Sequence, residues 1–191
     1  MKNLENVKKV LINVDMVNGF VNFGAMHDKY INHVIPVQIT KMEEYEQNTE
    51  YLNVIVKDTH KENCLEFKRY PVHCLENTEE SELVPELKKF ENENSIIFRK
   101  NSTSTIYALG FLELIENLKS LEEVLIVGCC TDICILNLAI PLRNYFDQVE
   151  RDVKVKVLKE GVETYDAPNH SREEYNEMAF KLMRQAGIEI V

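Results

Sequence analysis

The sequence predicts an α/β fold: three layers, with helices on both faces of a mainly parallel sheet of about six strands. Three observations predict it. Short runs rich in Val, Ile and Leu alternate with stretches of helical character along the whole chain. One run, Val124-Leu125-Ile126-Val127, is continuously apolar, as a strand covered on both faces must be. No repeat, linker or low-complexity tract interrupts the alternation, and 191 residues suit one domain, 1–191, with a substantial core.

In chain order, Lys9–Val14 is the first strand candidate, and a helix is expected over Asn32–Gln47. The second strand, Leu52–Lys57, precedes a long polar segment and then a helix expected over Ser81–Glu91. Ser95–Phe98 is the third strand, followed by a helix over Ala108–Leu118. Glu123–Val127 is the fourth strand and leads into a helix over Asp132–Phe146. Val153–Leu158, a helix over Ser171–Ala186 and the short strand Glu189–Val191 complete the series. Strands spaced by helices imply right-handed crossovers and parallel neighbours. The segment from Asp58 to Thr78 breaks the rhythm, with His, Cys, Glu and Pro in neither period. A loop that long inside a compact domain is usually functional.

Composition excludes several classes. The net charge of −10, from 22 basic and 32 acidic residues, repels phosphate backbones and anionic lipid, so neither nucleic acid nor membrane is an expected partner. No apolar stretch is long enough to span a bilayer, and Met1–Lys9 lacks the apolar run of an export signal, so the cytoplasm is the expected location. The five cysteines, Cys64, Cys74, Cys129, Cys130 and Cys134, are odd in number, which argues for buried, ligating or reactive thiols over a disulfide framework.

Ligands of such sheets bind beyond the carboxyl ends of the strands, which directs attention to Asp15, Asp58, Lys100 and the run Cys129–Cys134. Thr131 or Asp132 is a good N-cap and would place Cys134 in a first helical turn, where the dipole favours a thiolate and a nearby lysine lowers the thiol pKa further. Cys134 could equally be a buried packing residue. An acid where Asp15 stands can carry a proton, bind a metal or cap a helix, and Lys100 taken singly reads as a solvated charge. Asp58-Thr59-His60 places two ligand types on one side of an extended segment. Glu66 and Tyr70-Pro71-Val72-His73-Cys74 follow. Carboxylate and imidazole suit Zn²⁺, Fe²⁺ or Mn²⁺, although Asp-x-His with a distant His is often without meaning, and Cys64 and Cys74 leave open a structural zinc site.

Three segments carry a resemblance. Asp15-Met16-Val17-Asn18-Gly19-Phe20, then Lys100, then Gly128-Cys129-Cys130-Thr131-Asp132-Ile133-Cys134 resemble, in order and each after a strand, the catalytic segments of the isochorismatase-like cysteine hydrolases. The match covers nearly the whole chain and is nearest to the nicotinamidase and pyrazinamidase branch.

The resemblance implies that Cys134 is the nucleophile, Asp15 its proton acceptor and Lys100 the cation that offsets Asp15. It implies an oxyanion hole from the backbone N–H groups of Cys130 and Cys134, and a cis peptide at Cys129–Cys130. It implies one divalent transition metal, Zn²⁺ foremost with Fe²⁺ or Mn²⁺ also suited, held by Asp58, His60, Glu66 and His73. Many relatives have histidine where Glu66 stands. Phe20, Tyr70 and Tyr107 match the aromatic residues that hold a pyridine ring, although the hydroxyl-rich Asn101-Ser102-Thr103-Ser104-Thr105 departs from the family.

The implied activity is hydrolysis of nicotinamide to nicotinate and ammonia through a cysteine thioester in NAD salvage, by a homo-oligomer. The alternative is another amidase of the family acting on a carbamoyl or ureido substrate. A silent binding subunit fits poorly with Asp15, Lys100 and Cys134 all present. A redox role for Cys129 and Cys130 fits poorly with their adjacency, which strains a bridge.

Overall fold

The structure is a computed structural model that describes residues 3–191; Met1 and Lys2, part of the segment read above for an export signal, lie outside the described residues. Six strands form one sheet: β1 (Lys9–Val14), β2 (Tyr51–Asp58), β3 (Ser95–Lys100), β4 (Glu123–Cys129), β5 (Lys154–Glu163) and β6 (Glu189–Ile190). Their order is β3-β2-β1-β4-β5-β6 and every pairing is parallel. The helices are α1 (Asn18–Val21), α2 (Ile35–Gln47), α3 (Phe111–Asn117), α4 (Leu136–Gln148) and α5 (Arg172–Gln185), with several 3-10 turns between.

The alternation of side chains along the strands divides the core in two. Val10, Ile12 and Val14 of β1, with Val54, Val56, Val124 and Ile126, pack on one face against Phe111, Leu138, Leu142, Phe146, Phe180 and Met183 of α3, α4 and α5. Leu11, Ile55, Leu125 and Val127 pack on the other against Ile35 and Met42 of α2, Phe20 of α1, and Leu87 and Phe90. Every residue of β1 after Lys9 is buried, which accounts for its apolar run, broken only by Asn13, whose Nδ2 donates to Gln38 Oε1 at 2.9 Å. A buried aliphatic side chain of this kind contributes about 1.5–3 kcal/mol.

Some elements differ from expectation. Ser81–Glu91 is not an α-helix but the end of one 3-10 turn, Glu79–Ser81, and a second, Pro85–Phe90, entered through Pro85. Proline fixes the start of a turn, and only Leu87 and Phe90 of the second one are buried, too narrow a stripe to support a longer helix. The region Asp132–Phe146 is two elements, a π-helical turn at Thr131–Ile135 and then α4. Strand β5 runs five residues beyond its expected end, because a register shift opposite Ile126 and Gly128 lets pairing resume at Val162 and Glu163. The consequence is functional: Glu163 pairs with Cys129, and the chain after it emerges beside the turn that carries Cys134.

Candidate active site

Parallel strands end along one edge, and four neighbouring strands deliver titratable groups to it. Asp15 follows β1, Asp58 closes β2, Lys100 closes β3 and Cys134 lies in the turn after β4. Asp58 and Lys100 are direct register partners, so their side chains leave the sheet side by side. Lys100 Nζ lies 2.8 Å from Asp15 Oδ2, 2.7 Å from Asp58 Oδ1 and 3.8 Å from Cys134 Sγ. All four residues are buried. The lysine read singly as a surface charge is thus enclosed by two carboxylates and a thiol.

Local backbone makes this convergence possible. Asp15 has φ 56°, a left-handed conformation that aspartate tolerates better than most side chains, and its N–H donates to the Val56 carbonyl at 2.9 Å. Gly128 has φ 127°, and a Cβ there would stand 2.0 Å from the Val14 carbonyl oxygen, so only glycine lets β4 approach β1 this closely. The Cys129 thiol donates to the Asp15 carbonyl at 3.2 Å, and the Cys129–Cys130 peptide bond is cis, as the resemblance implied.

The capping expectation is corrected. Cys130 occupies the N-cap position of the turn, without a side-chain cap. Thr131 is buried, and Asp132 is engaged elsewhere, accepting from Thr164 Oγ1 at 2.5 Å and facing His170 Nε2 at 2.8 Å.

The electrostatics also differ from expectation. Burial drives the Cys134 thiol pKa well up, and Asp15 and Asp58 add to this, against the opposing charge of Lys100. The cation does not outweigh burial, so the resting sulfur is a thiol. Burial likewise raises Asp15, with Lys100 the chief opposing influence, to about 6. At neutral pH the site therefore holds an ionised Asp15, an ammonium and a protonated sulfur. Such a set can move one proton from sulfur to carboxylate.

Next to it lies a second convergence. His60 Nε2 is 2.9 Å from Asp58 Oδ2 and 3.1 Å from His73 Nε2, and His73 Nε2 is 3.2 Å from the same carboxylate oxygen. The outer nitrogens face carbonyl oxygens, His60 Nδ1 at 3.0 Å from Asn101 Oδ1 and His73 Nδ1 at 2.7 Å from Pro71 O. Those partners place protons on Nδ1, which leaves two imidazole lone pairs and a carboxylate oxygen facing one another. Three donor atoms this close could hold a metal ion among them. Burial would lower the His60 pKa, but the hydrogen bond and charge of Asp58 raise it to about 9, so with no metal bound the imidazole carries a proton toward that carboxylate. Asp58 itself, despite burial, is held well below the usual carboxylate range by Lys100 and by the two histidines. The donor set fits Zn²⁺, Fe²⁺ or Mn²⁺.

Glu66, which lines the same cavity as Asp58 and His73, stands outside this closest grouping. The ligand atoms of Asp58, His60 and His73 lie within 4.8 Å of one another, and Glu66 is not among the converging residues. The cause is the path of the loop. His60 and Leu75 form a bridge, with His60 N–H donating to Cys74 O at 2.9 Å and Glu76 N–H to His60 O at 2.8 Å, so His60 and His73 are drawn together. Glu66 lies on the excursion between them, in a 3-10 turn at Leu65–Lys68.

A cavity of about 690 Å³ opens onto both groups, lined by Cys134 and Cys130 on one side and by Asp58, His73 and Glu66 on the other. Phe20 and Tyr70 line it as expected, their rings 5.5 and 6.4 Å from that of His73. Tyr107 does not: it is 81% exposed. In the 3-10 turn Thr105–Tyr107, Thr105 is buried and Ile106 packs on the core, so the third side chain points outward, and Thr103 lines the cavity instead. Sequence reasoning missed Phe67, edge-on to His60 and His73 at 5.2 and 5.6 Å, and Tyr165, which lines the cavity. Asn101 had a signal, its place directly after Lys100; Tyr165 had none short of the register shift in β5.

Comparison with known proteins agrees with this geometry. The family model for the isochorismatase domain matches residues 9–191. Nicotinamidase 1 of Arabidopsis thaliana is 31% identical over 180 residues, covering 84% of this chain and 71% of its own. The pyrazinamidase of Pyrococcus horikoshii, solved in complex with zinc, superposes with a TM-score of 0.77 at 25% identity, over 96% of this chain and 98% of that one. The nicotinamidase of Bacillus subtilis shares the fold with a TM-score of 0.78 at 22% identity, over 97% and 99%.

Proposed function

Because this chain belongs to the isochorismatase family and has its hydrolase fold, we propose that it is an amidohydrolase that converts nicotinamide to nicotinate and ammonia, in the service of NAD salvage. One observation carries the reading: a single cavity is lined both by Cys134, in reach of Lys100 and Asp15, and by Asp58 and His73 of a group that could hold a metal ion, flanked by Phe20 and Tyr70.

In the proposed reaction the pyridine ring lies between Phe20 and Tyr70, whose planar faces suit a planar heterocycle. A metal held by Asp58, His60 and His73 would supply a Lewis-acid anchor for the ring nitrogen. Asp15 takes the thiol proton as Cys134 attacks the amide carbon. The backbone N–H groups of Cys130 and Cys134 hold the oxyanion, and each such donor is typically worth about 3–4 kcal/mol in the transition state. Asp15 returns its proton to the departing ammonia, then takes one from the water that opens the thioester and passes it to the Cys134 sulfur as that bond breaks, which restores the resting thiol and the ionised carboxylate. Lys100 stays charged throughout and keeps Asp15 ionised enough to act.

The proposal places this chemistry in one domain of a cytoplasmic homo-oligomer; no helix among the described residues is long and apolar enough to cross a membrane. Ammonia release should be measured on nicotinamide, pyrazinamide and a set of carbamoyl and ureido compounds, with metal analysis of the same preparation. Turnover of nicotinamide with a bound transition metal supports the reading. Turnover of carbamoyl compounds alone replaces it with the other amidase class.

A further inference from the structure

Asp132 lies two residues before Cys134 and takes no part in the steps above, yet both its oxygens are committed. Oδ1 accepts from Thr164 Oγ1 at 2.5 Å and Oδ2 faces His170 Nε2 at 2.8 Å. Both partners belong to the chain that the register shift in β5 brings beside the nucleophile turn.

His170 is only 7% exposed, and both nitrogens and both faces of its ring are engaged. Nδ1 faces the Tyr165 carbonyl at 3.1 Å. One face stacks on Tyr165 at 3.8 Å and 9°, the other on Tyr175 at 3.7 Å and 29°. Ala167 and His170 exchange backbone hydrogen bonds at 3.0 and 2.9 Å, which closes the loop on itself. That loop is also a wall of the cavity, through Tyr165, Asp166 and Ala167. The wall is tied on its far side as well: the Asp166 N–H donates to Asp28 Oδ2 at 3.0 Å, and Arg172 pairs with the same oxygen. One imidazole therefore touches the turn that carries the nucleophile and a neighbouring segment of the cavity wall.

We propose that His170 is a positioning residue for the amide hydrolysis: through Asp132 it fixes the turn bearing Cys134 and the Cys130 and Cys134 N–H groups, and through Tyr165 it fixes the adjoining cavity wall. The inference rests on the reading of the reaction given above. Without the imidazole, Asp132 Oδ2 loses its partner in a nearly closed environment and moves to find another. The turn moves with it, and a displacement of about 1 Å at a reacting centre can cost roughly 10²-fold in rate.

The test compares His170→Ala and His170→Gln in the full chain with its metal. Glutamine keeps an N–H donor near the position of Nε2 but cannot stack on both tyrosines. His170→Ala should lower kcat on nicotinamide about 30- to 100-fold with a smaller change in KM, and His170→Gln should recover kcat to within about fivefold of wild type. Hydrogen exchange of the backbone over residues 130–135 should quicken at least about tenfold in His170→Ala, with β4 still protected and His170→Gln close to wild type.

Unchanged exchange in His170→Ala overturns the proposal, and so does faster exchange with wild-type kcat. Equal losses in both variants with lowered thermal stability also overturn it, because the ring would then be only a strut. A wild-type protein inert toward nicotinamide refutes the reaction instead, and the exchange measurements still decide whether His170 holds the turn.

Discussion

Asp58 and Lys100, register partners at the ends of adjacent parallel strands, are joined by a 2.7 Å hydrogen bond from the ammonium to Oδ1. The other oxygen of the same carboxylate, Oδ2, faces His60 and His73 at 2.9 and 3.2 Å. One side chain therefore belongs both to the proton-transfer set and to the cation site, and the two cannot be perturbed separately through it.

Asp58→Asn should lower metal content and kcat together, each by about 10- to 100-fold, the range typical when a ligand or its supporting partner is lost. His73→Ala removes a ligand without touching Lys100, so it should lower metal content and raise KM while kcat falls less. Metal analysis and steady-state kinetics on both variants check the contrast. Chelation of the wild-type protein should reproduce the His73→Ala pattern.

Lys100→Met removes the positive charge between two buried carboxylates. Breaking a buried ion pair by deleting one partner costs about 3–5 kcal/mol, which urea unfolding at neutral pH measures. The Cys134 thiol pKa should rise further, since Lys100 is the chief charge that lowers it, and alkylation by iodoacetamide should slow. An unchanged alkylation-versus-pH curve would show that Lys100 does not tune this thiol.

Asp15 sets a pH dependence. Its carboxyl is raised from 3.8 to about 6 by burial, so the acid limb of kcat/KM should fall about tenfold per pH unit below about 6. The folded chain holds that proton more tightly than the unfolded chain, so the contribution of Asp15 to stability is lost as pH rises from about 4 through 6. Asp15→Asn should abolish turnover and gain stability relative to wild type across that window. Unfolding curves at several pH values give the sign directly.

Gly128→Ala should destabilise the fold by more than about 3 kcal/mol, because its Cβ would meet the Val14 carbonyl at 2.0 Å in a backbone conformation closed to alanine. Thermal unfolding of the variant measures it.

Most of the sheet was legible because burial on both faces writes itself into composition, as in Val124–Val127, and the carboxyl-edge rule located Asp15, Asp58, Lys100 and Cys134 before any contact was known. The errors have a common origin in tertiary geometry that local pattern does not encode. Glu66 stands outside the closest grouping of Asp58, His60 and His73, on the loop excursion that the bridge between His60 and Leu75 closes, a path that spacing along the loop does not encode. Tyr107 read as a pocket residue because a 3-10 turn reassigns which of three successive side chains faces inward. Asp132 read as a cap because its partners, Thr164 and His170, lie 32 and 38 residues away. The direction of the Cys134 pKa depended on burial competing with charge, and a sequence lists charges without their depth.

The most direct test of the account is covalent. Acid-quenching the protein during turnover of ring-labelled nicotinamide, followed by peptide mapping, should place a nicotinoyl thioester on Cys134 and on no other cysteine. Cys134→Ala should show neither label nor ammonia release. Turnover without label at Cys134, or ammonia release by Cys134→Ala at the wild-type rate, would contradict the account.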